Sequence, residues 1–252
     1  MSRLKETTVQ THALRWLVED YDSRPQTVAV SRPEAWVCRK SPMGRGRADG
    51  VIAAQLNDGS VHVASVEAKS WKTRASVLLT PRNGFWLLHG VLAGVLAALV
   101  AMGLGWSTEH WVWMWLVPAL VLIAVSLAYL WTADWLGRYY GIELLDQIKR
   151  YPGNDRWIAL PNGVWGKLSR DEQDKLRHRC EAQRTGLLLV GRTGTVQALE
   201  HPTTEPTPKG VPDYLVCYSA GETIRKDLAA KITARQNAST EDETPDVAGL
   251  PR

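Results

Sequence analysis

Two long runs without formal charge lie in the middle of this chain and restrict what it can fold into. Residues 85–105 and 111–133 contain no Lys, Arg, Asp or Glu, and only residues 106–110 separate them. An α-helix of about 20 apolar residues is long enough to cross the hydrocarbon core of a bilayer. The sequence therefore predicts a transmembrane helical hairpin, with a pair of helices buried in a globular core as the alternative.

The flanking residues extend this prediction to a topology. Tryptophans cluster near the ends of both runs, and the connecting loop carries Glu109 but no Lys or Arg. By the positive-inside rule, we expect a two-span protein of the inner (cytoplasmic) membrane, in contact with the lipid bilayer and with both termini cytoplasmic. Gly90 and Gly94 form a G-x-x-x-G pattern, which favours close packing with the second helix or, alternatively, a homodimer.

The positive charge of the chain is concentrated before the hairpin. Residues 1–84 hold 13 Lys and Arg against 8 Asp and Glu, while the whole chain of 252 residues has a net charge of +4. This excess fits attraction to nucleic acid or to anionic lipid, and charge alone does not separate the two. The three cysteines show no metal-binding or redox spacing.

The remaining segments alternate between helix and strand patterns, which predicts one α/β domain interrupted by the hairpin. Its two parts are residues 1–83 and 136–201, separated by the hairpin at 84–135 and followed by a loop and helix at 202–236 and a disordered tail at 237–252. The predicted helices are residues 4–20, 139–151, 169–183 and 220–236. The predicted strands are residues 27–30, 35–39, 50–56, 61–68, 156–161, 185–191 and 195–201.

The predicted strand pairing brings three charged residues together. Asp49 lies at the start of one strand, and Glu67 and Lys69 lie at the end of the strand that returns after the Asp58-Gly59 turn. Two carboxylates at one place can hold Mg²⁺, which polarises a phosphodiester. A lysine can orient the attacking water and offset the charge that develops on the phosphate. An exposed ion pair between Glu67 and Lys69 is the alternative.

Asp49 followed by the sequence V-E-A-K, with Glu67 and Lys69, resembles the active-site pattern of the PD-(D/E)xK nucleases. These include many restriction endonucleases and archaeal junction resolvases. The proline that precedes the aspartate in that family is replaced by Ala48, and Gln147 and Tyr151 resemble the Q-x-x-x-Y element of RecB-like nucleases. The resemblance covers residues 4–72 and 138–200. It implies a restriction-endonuclease-like α-β-β-β-α-β core, with the transmembrane hairpin inserted after the third core strand.

The resemblance also implies roles for individual residues. Asp49, Glu67, Lys69 and Gln147 would be catalytic, and Asp49, Glu67 and Glu6 would hold Mg²⁺ or Mn²⁺. Glu6 is alternatively a favourable partner of the helix dipole. The residues expected to contact nucleic acid are Arg39, Lys40, Arg45, Arg47 and Tyr151. The basic loop is alternatively only a flexible surface loop, and Tyr151 a core residue.

Together these observations predict a membrane-anchored, Mg²⁺-dependent nuclease that hydrolyses DNA on the cytoplasmic face, in defence against foreign DNA. The alternative is a nuclease-fold membrane protein without catalytic activity, which binds nucleic acid or scaffolds its partners. The two differ in a simple respect, because only the first yields cleavage products.

Overall fold

A computed structural model describes residues 4–38, 46–70, 77–78, 80–81, 85–105, 111–135 and 140–242. The chain divides into two units. One comprises Met1–Val77 and Leu144–Arg252, and the other comprises Leu78–Glu143. The first unit is therefore discontinuous in sequence, and the second contains both apolar runs.

The first unit contains most of the regular structure. Its helices are α1 (Glu6–Asp22), α4 (Glu143–Ile148, beginning at the unit boundary), α5 (Asn162–Trp165), α6 (Arg170–Ala182) and α7 (Gly221–Asp242), with a 3₁₀ helix at Tyr214–Cys217. Its strands are β1 (Thr27–Val30), β2 (Glu34–Cys38), β3 (Arg47–Leu56), β4 (Val61–Ala68), β7 (Asp155–Pro161), β8 (Thr185–Val190) and β9 (Val196–Glu200).

These strands form one mixed sheet of seven strands, in the order β1-β3-β4-β7-β8-β9, with β2 also paired to β3. The pair β3–β4 is an antiparallel hairpin, whereas β4–β7 and β7–β8 are parallel. Parallel neighbours cannot be joined by a tight turn. The connection from β4 to β7 accordingly contains the whole second unit and α4.

Helix α1 covers one face of the sheet. Its residues Val9, Ala13, Leu17 and Tyr21 recur at helical spacing and are all buried. A Cβ at Gly50 of β3 would lie 2.6 Å from the side chain of Leu14, so only glycine allows the helix to approach the strand this closely. This close contact fixes α1 directly above the residue that follows Asp49.

Two predicted helices have different lengths in the structure. The helix expected at 139–151 begins only at Glu143, because Tyr140 and Gly141 form the short strand β6, which pairs with β5 (Thr80–Pro81). Helix α7 continues to Asp242, so residues 237–242 are helical rather than part of a tail. The predicted start of α6 is confirmed, because Ser169 and Glu172 form a reciprocal capping box.

The second unit contains α2 (Phe85–Gly105) and α3 (Trp111–Trp135), which pack against each other. Ser126 donates a hydrogen bond to the carbonyl of Gly90 at 3.3 Å, and a Cβ at Gly94 would lie 2.8 Å from Leu122. The G-x-x-x-G pattern therefore faces the second helix of the pair. Exposed apolar side chains on the two helices are Val91, Leu92, Val95, Leu96, Leu99, Val100, Leu116, Leu120, Ile123 and Leu127.

The prediction of a transmembrane hairpin is wrong. In the part of the chain that the structure describes, no helix combines the length and the apolar character needed to cross a membrane. The predicted inner-membrane location, with two spans and cytoplasmic termini, depended on transmembrane helices and is therefore also wrong. The physical reason is that apolar runs also occur where two helices pack on each other through small residues, as at Gly94, and hydropathy along a sequence does not separate the two cases.

Candidate active site

The β3–β4 hairpin brings two carboxylates together. The register pairs Gly50 with Val66, and one further step sets Asp49 opposite Glu67. Asp49 Oδ2 accepts a hydrogen bond from the backbone N–H of Ala68 at 2.8 Å. Both side chains are buried, with 5% of Asp49 and 1% of Glu67 exposed. The structure therefore holds two acidic groups inside the protein, on one face of adjacent strands.

Lys69 joins these strands to α4. Its ammonium donates to Glu67 Oε1 at 2.6 Å and to Gln147 Oε1 at 2.9 Å. Its backbone N–H donates to the carbonyl of Ala159 on β7 at 3.0 Å, which fixes the chain where β4 ends. Gln147 is 78 residues away in the sequence, so the second half of the first unit completes a cluster that begins in the first half.

Tyr151 lies four residues after Gln147, whose side chain interacts with the Tyr151 hydroxyl and partly offsets the rise in its pKa. It is only 3% exposed. A Cβ at Gly46 would lie 3.3 Å from its ring, so the chain that enters β3 passes directly over it. Burial raises the pKa of the Tyr151 hydroxyl. Little of this side chain is accessible to nucleic acid, in contrast to the predicted contact, and its position favours a role in holding Gln147.

The environment of the carboxylates favours their protonated forms. Burial raises the pKa of Asp49 to about 6, with a smaller contribution from the charge of Glu6 and against the opposing effect of the hydrogen bond from the Ala68 N–H. Burial and the charge of Asp49 raise the pKa of Glu67 to about 7, although Lys69 opposes this shift. Two neighbouring buried carboxylates with raised pKa values are typical of functional sites. Their mutual repulsion is a cost that a bound cation would relieve.

Helix α1 contributes two residues to this region. Glu6, in its first turn, acts electrostatically on both carboxylates. Gln10, one turn later and 3% exposed, donates a hydrogen bond from Nε2 to the backbone carbonyl of Asp49. Sequence reasoning missed Gln10. Its position four residues after Glu6, on the same helix face, was the available signal.

The carboxylates fit a divalent cation in one specific respect. Oε2 of Glu67 is buried, and among the described residues it has no hydrogen-bond partner. A buried oxygen without a partner needs an explanation, and a role as a metal ligand is one. Within the described residues, no three His, Cys, Asp or Glu side chains are grouped closely enough to hold a metal. Asp49 and Glu67 therefore offer two ligands, with Glu6 at longer range.

Of the basic residues predicted to bind nucleic acid, only Arg47 lies in the part of the chain that the structure describes. Arg39, Lys40 and Arg45 lie outside the described residues. Arg47 is exposed at the start of β3, with its guanidinium carbon 4.5 Å from the centre of the Trp36 ring. Its charge lowers the pKa of Asp49, against the larger effect of burial. Arg47 thus supplies positive charge in the surroundings of Asp49.

A second buried polar cluster lies at the opposite ends of the same strands. Asp155, which begins β7, accepts hydrogen bonds from Tyr21 and from Thr204, and its Oδ2 lies 3.0 Å from Nε2 of His62. Burial alone would raise the pKa of Asp155, but the contacts with His62, Tyr21 and Thr204 outweigh it and lower the pKa. These contacts join α1, β4 and β7.

Comparison of the chain with protein-family models, with curated proteins and with solved structures finds no match.

Proposed function

We propose that this chain is a Mg²⁺-dependent nuclease that hydrolyses phosphodiester bonds of DNA. The observation that carries the proposal is the buried cluster in which Asp49 faces Glu67, while Lys69 lies 2.6 Å from Glu67 and 2.9 Å from Gln147. Paired carboxylates beside a lysine suit a reaction in which negative charge develops on a phosphate.

Each residue has a distinct role in this proposal. Asp49 and Glu67 would hold Mg²⁺ or Mn²⁺, which polarises the phosphodiester and lowers the pKa of water. The ammonium of Lys69 would orient the attacking water and offset the developing negative charge. Gln147 positions that ammonium through its hydrogen bond at 2.9 Å, and Tyr151 in turn holds Gln147. The catalytic residues are therefore Asp49, Glu67 and Lys69.

The order of elements also supports the proposal. In the first unit, helix α1 is followed by strands β1, β2, β3 and β4, then by helix α4 and strand β7. This order contains one strand more than the α-β-β-β-α-β order that the resemblance to PD-(D/E)xK nucleases implies, because four strands rather than three precede α4. The residues that carry the resemblance lie on the corresponding elements, with Asp49 on β3, Glu67 on β4 and Gln147 on α4. The order also accommodates the second unit between β4 and α4.

A DNA-binding protein without hydrolytic activity is the second candidate. It is favoured by one observation, namely that the described residues supply two carboxylates but no grouped third ligand. Such a protein would bind DNA with an affinity that falls steeply with salt, because its contacts would be mainly to phosphates. It would release no products in the presence of any divalent cation.

The decisive experiment incubates the purified full chain with plasmid, linear duplex and single-stranded DNA in Mg²⁺, Mn²⁺ or EDTA. We expect metal-dependent cleavage by the wild type, and a loss of at least about 100-fold in Asp49→Asn, Glu67→Gln and Lys69→Met. Glu19→Gln on the exposed side of α1 is the matched control and should retain activity. Cleavage at wild-type rates by all three site variants would refute the proposal. Salt-sensitive binding without any cleavage would favour the second candidate.

A further inference from the structure

Strand β2 carries an aromatic residue in an unusual conformation beside the carboxylates. Trp36 has a φ of +57°, in the left-handed region that bulky side chains rarely adopt. The register between β2 and β3 is the same on both sides of it, from Ala35↔Gly50 to Val37↔Ala48. The strained residue therefore lies within a continuous strand pair. Such strain is concentrated at active sites and ligand clamps.

The pairing of the strands relates Trp36 to the candidate active site. The unchanged register sets Trp36 opposite Asp49, which in turn lies opposite Glu67. Because neighbouring strands are about 4.8 Å apart, the backbone of Trp36 is about one strand spacing from Asp49. Arg47 shares a strand face with Asp49 by alternation, and its guanidinium contacts the Trp36 ring at 4.5 Å. This diagonal contact indicates that the indole lies on the face that carries the carboxylates.

The chemistry of the pair suits one class of ligand. The Trp36 side chain is only partly buried, and Arg47 is exposed. An aromatic ring beside a cationic side chain offers a stacking surface for a nucleobase, and arginine adds both a cation–π contact and a phosphate contact. A base inside a duplex has both faces covered by its neighbours, so it must leave the stack before it can lie on a side chain.

We propose that Trp36, supported by Arg47, stacks an unpaired nucleobase beside the Asp49–Glu67 site, so that the preferred substrate is single-stranded DNA. This inference rests on the proposed nuclease function for the place of the scissile phosphodiester. The stacking site itself is testable without cleavage. Trp36 is then a specificity-determining residue that touches the nucleotide next to the reacting phosphate.

The test measures binding of fluorescein-labelled oligothymidine, and of a duplex of equal length, by anisotropy in EDTA. Trp36→Asn removes the ring but tolerates the left-handed backbone, and Trp36→Tyr keeps an aromatic ring. We expect Trp36→Asn to weaken binding of the single strand about ten-fold, with less than a two-fold change for the duplex. Trp36→Tyr should bind within about three-fold of wild type. Trp16→Ala removes a different partly buried indole, on α1, and should leave the ratio of the two affinities unchanged.

Two results would overturn the inference. One is an unchanged single-strand affinity in Trp36→Asn, and the other is an equal loss for single strand and duplex. The failure of the proposed function gives a different pattern, because the wild type would then cleave nothing in Mg²⁺ or Mn²⁺ while the dependence of single-strand binding on Trp36 remained. Cleavage by the wild type together with wild-type binding by Trp36→Asn would refute the stacking role alone.

Discussion

The ammonium of Lys69 lies 2.6 Å from Oε1 of Glu67, whereas Oε2 of the same carboxylate is buried and has no hydrogen-bond partner among the described residues. One oxygen is thus satisfied by a charged donor, and the other is turned into the protein beside Asp49. The pKa of Glu67 is raised to about 7 even with the lysine in contact. A divalent cation would satisfy the second oxygen and offset the repulsion between the two acids.

We therefore expect Mg²⁺ or Mn²⁺ to stabilise the folded protein. At pH 8 and a cation concentration ten times Kd, the gain in free energy of unfolding is about 1.4 kcal/mol, which raises Tm by roughly 4 °C. Differential scanning fluorimetry with and without cation measures this shift. Asp49→Asn and Glu67→Gln should each lose most of it, while Glu19→Gln should keep it. An equal shift in all four proteins would place the bound cation elsewhere.

The same carboxylates predict the pH dependence of the metal-free protein. The pKa of Asp49 is raised from 3.8 to about 6, and that of Glu67 from 4.5 to about 7. At pH values between the pKa of the unfolded state and that of the folded state, the unfolded state binds fewer protons than the folded state. The free energy of unfolding therefore decreases as pH rises. We expect a loss on the order of 5 kcal/mol between about pH 4 and pH 7, and little further change from these two groups above pH 7.

Urea unfolding in EDTA at a series of pH values tests this prediction. Glu67→Gln removes one titrating group and should give a flatter profile, with greater stability than the wild type at pH 8. Asp174→Asn, on the exposed face of α6, is the control and should follow the wild-type curve. A wild-type stability that increases between pH 5 and pH 8 would contradict the buried, repelling pair.

The contact between Lys69 and Gln147 predicts non-additive kinetics. Lys69→Met should lower kcat by about 10³-fold, and Gln147→Ala by about 10-fold, because the glutamine only positions the ammonium. The double variant should be no slower than Lys69→Met, since Gln147 has nothing left to position. Single-turnover cleavage of a labelled oligonucleotide provides the rates. If the reductions in kcat of the two single variants multiply in the double variant, Gln147 acts independently of Lys69. Gln197→Ala, at an exposed position on β9, is the control.

The parts of the site that the sequence predicts are those fixed by local structure. Strand β4 has the predicted bounds of residues 61–68, because strand patterning and the Asp58-Gly59 turn are local signals. Gly59 has a φ of +81°, as the turn requires. Once this hairpin is identified, the opposition of Asp49 and Glu67 follows from its register. The approach of Gln147 follows from no local rule and was suggested only by the family resemblance.

Other features depend on tertiary packing and were not predictable from local patterns. The spacing from Glu6 sets Gln10 on the same face of α1, but its contact with Asp49 depends on the close packing of α1 on β3 at Gly50. The strand sequence E-A-W-V-C contains no signal that predicts the left-handed backbone conformation of Trp36. The two apolar runs illustrate the same limit. Their hydropathy indicates helices, but what covers those helices is decided by packing that the sequence pattern does not contain.

The close approach at Gly50 is itself testable. In Gly50→Ala the new methyl would lie 2.6 Å from Leu14, so Leu14 and α1 must shift, at a cost of about 1–3 kcal/mol. Because Gln10 is on the same helix, we expect cleavage to weaken together with stability. Leu14→Ala in the same chain should recover part of the loss that the clash causes. Gly163→Ala, where a Cβ meets nothing within 4 Å, is the matched control, and an equal effect of the two single variants would refute this account.

Asp155 provides the contrast to the acidic pair, because its charge is stabilised rather than opposed. Its contacts with His62, Tyr21 and Thr204 lower its pKa in the folded protein. Its contribution to stability is therefore complete above the unfolded pKa of 3.8 and is lost as pH falls through the lower pKa of the folded state. Asp155→Asn should therefore cost about 3 kcal/mol, roughly 8 °C in Tm, at every pH between 5 and 8. Glu67→Gln should instead stabilise the metal-free protein at pH 8. Thermal unfolding of both variants in EDTA measures whether Asp155→Asn lowers Tm and Glu67→Gln raises it. If Asp155→Asn raised Tm, the charge of Asp155 would also be destabilising in the folded protein.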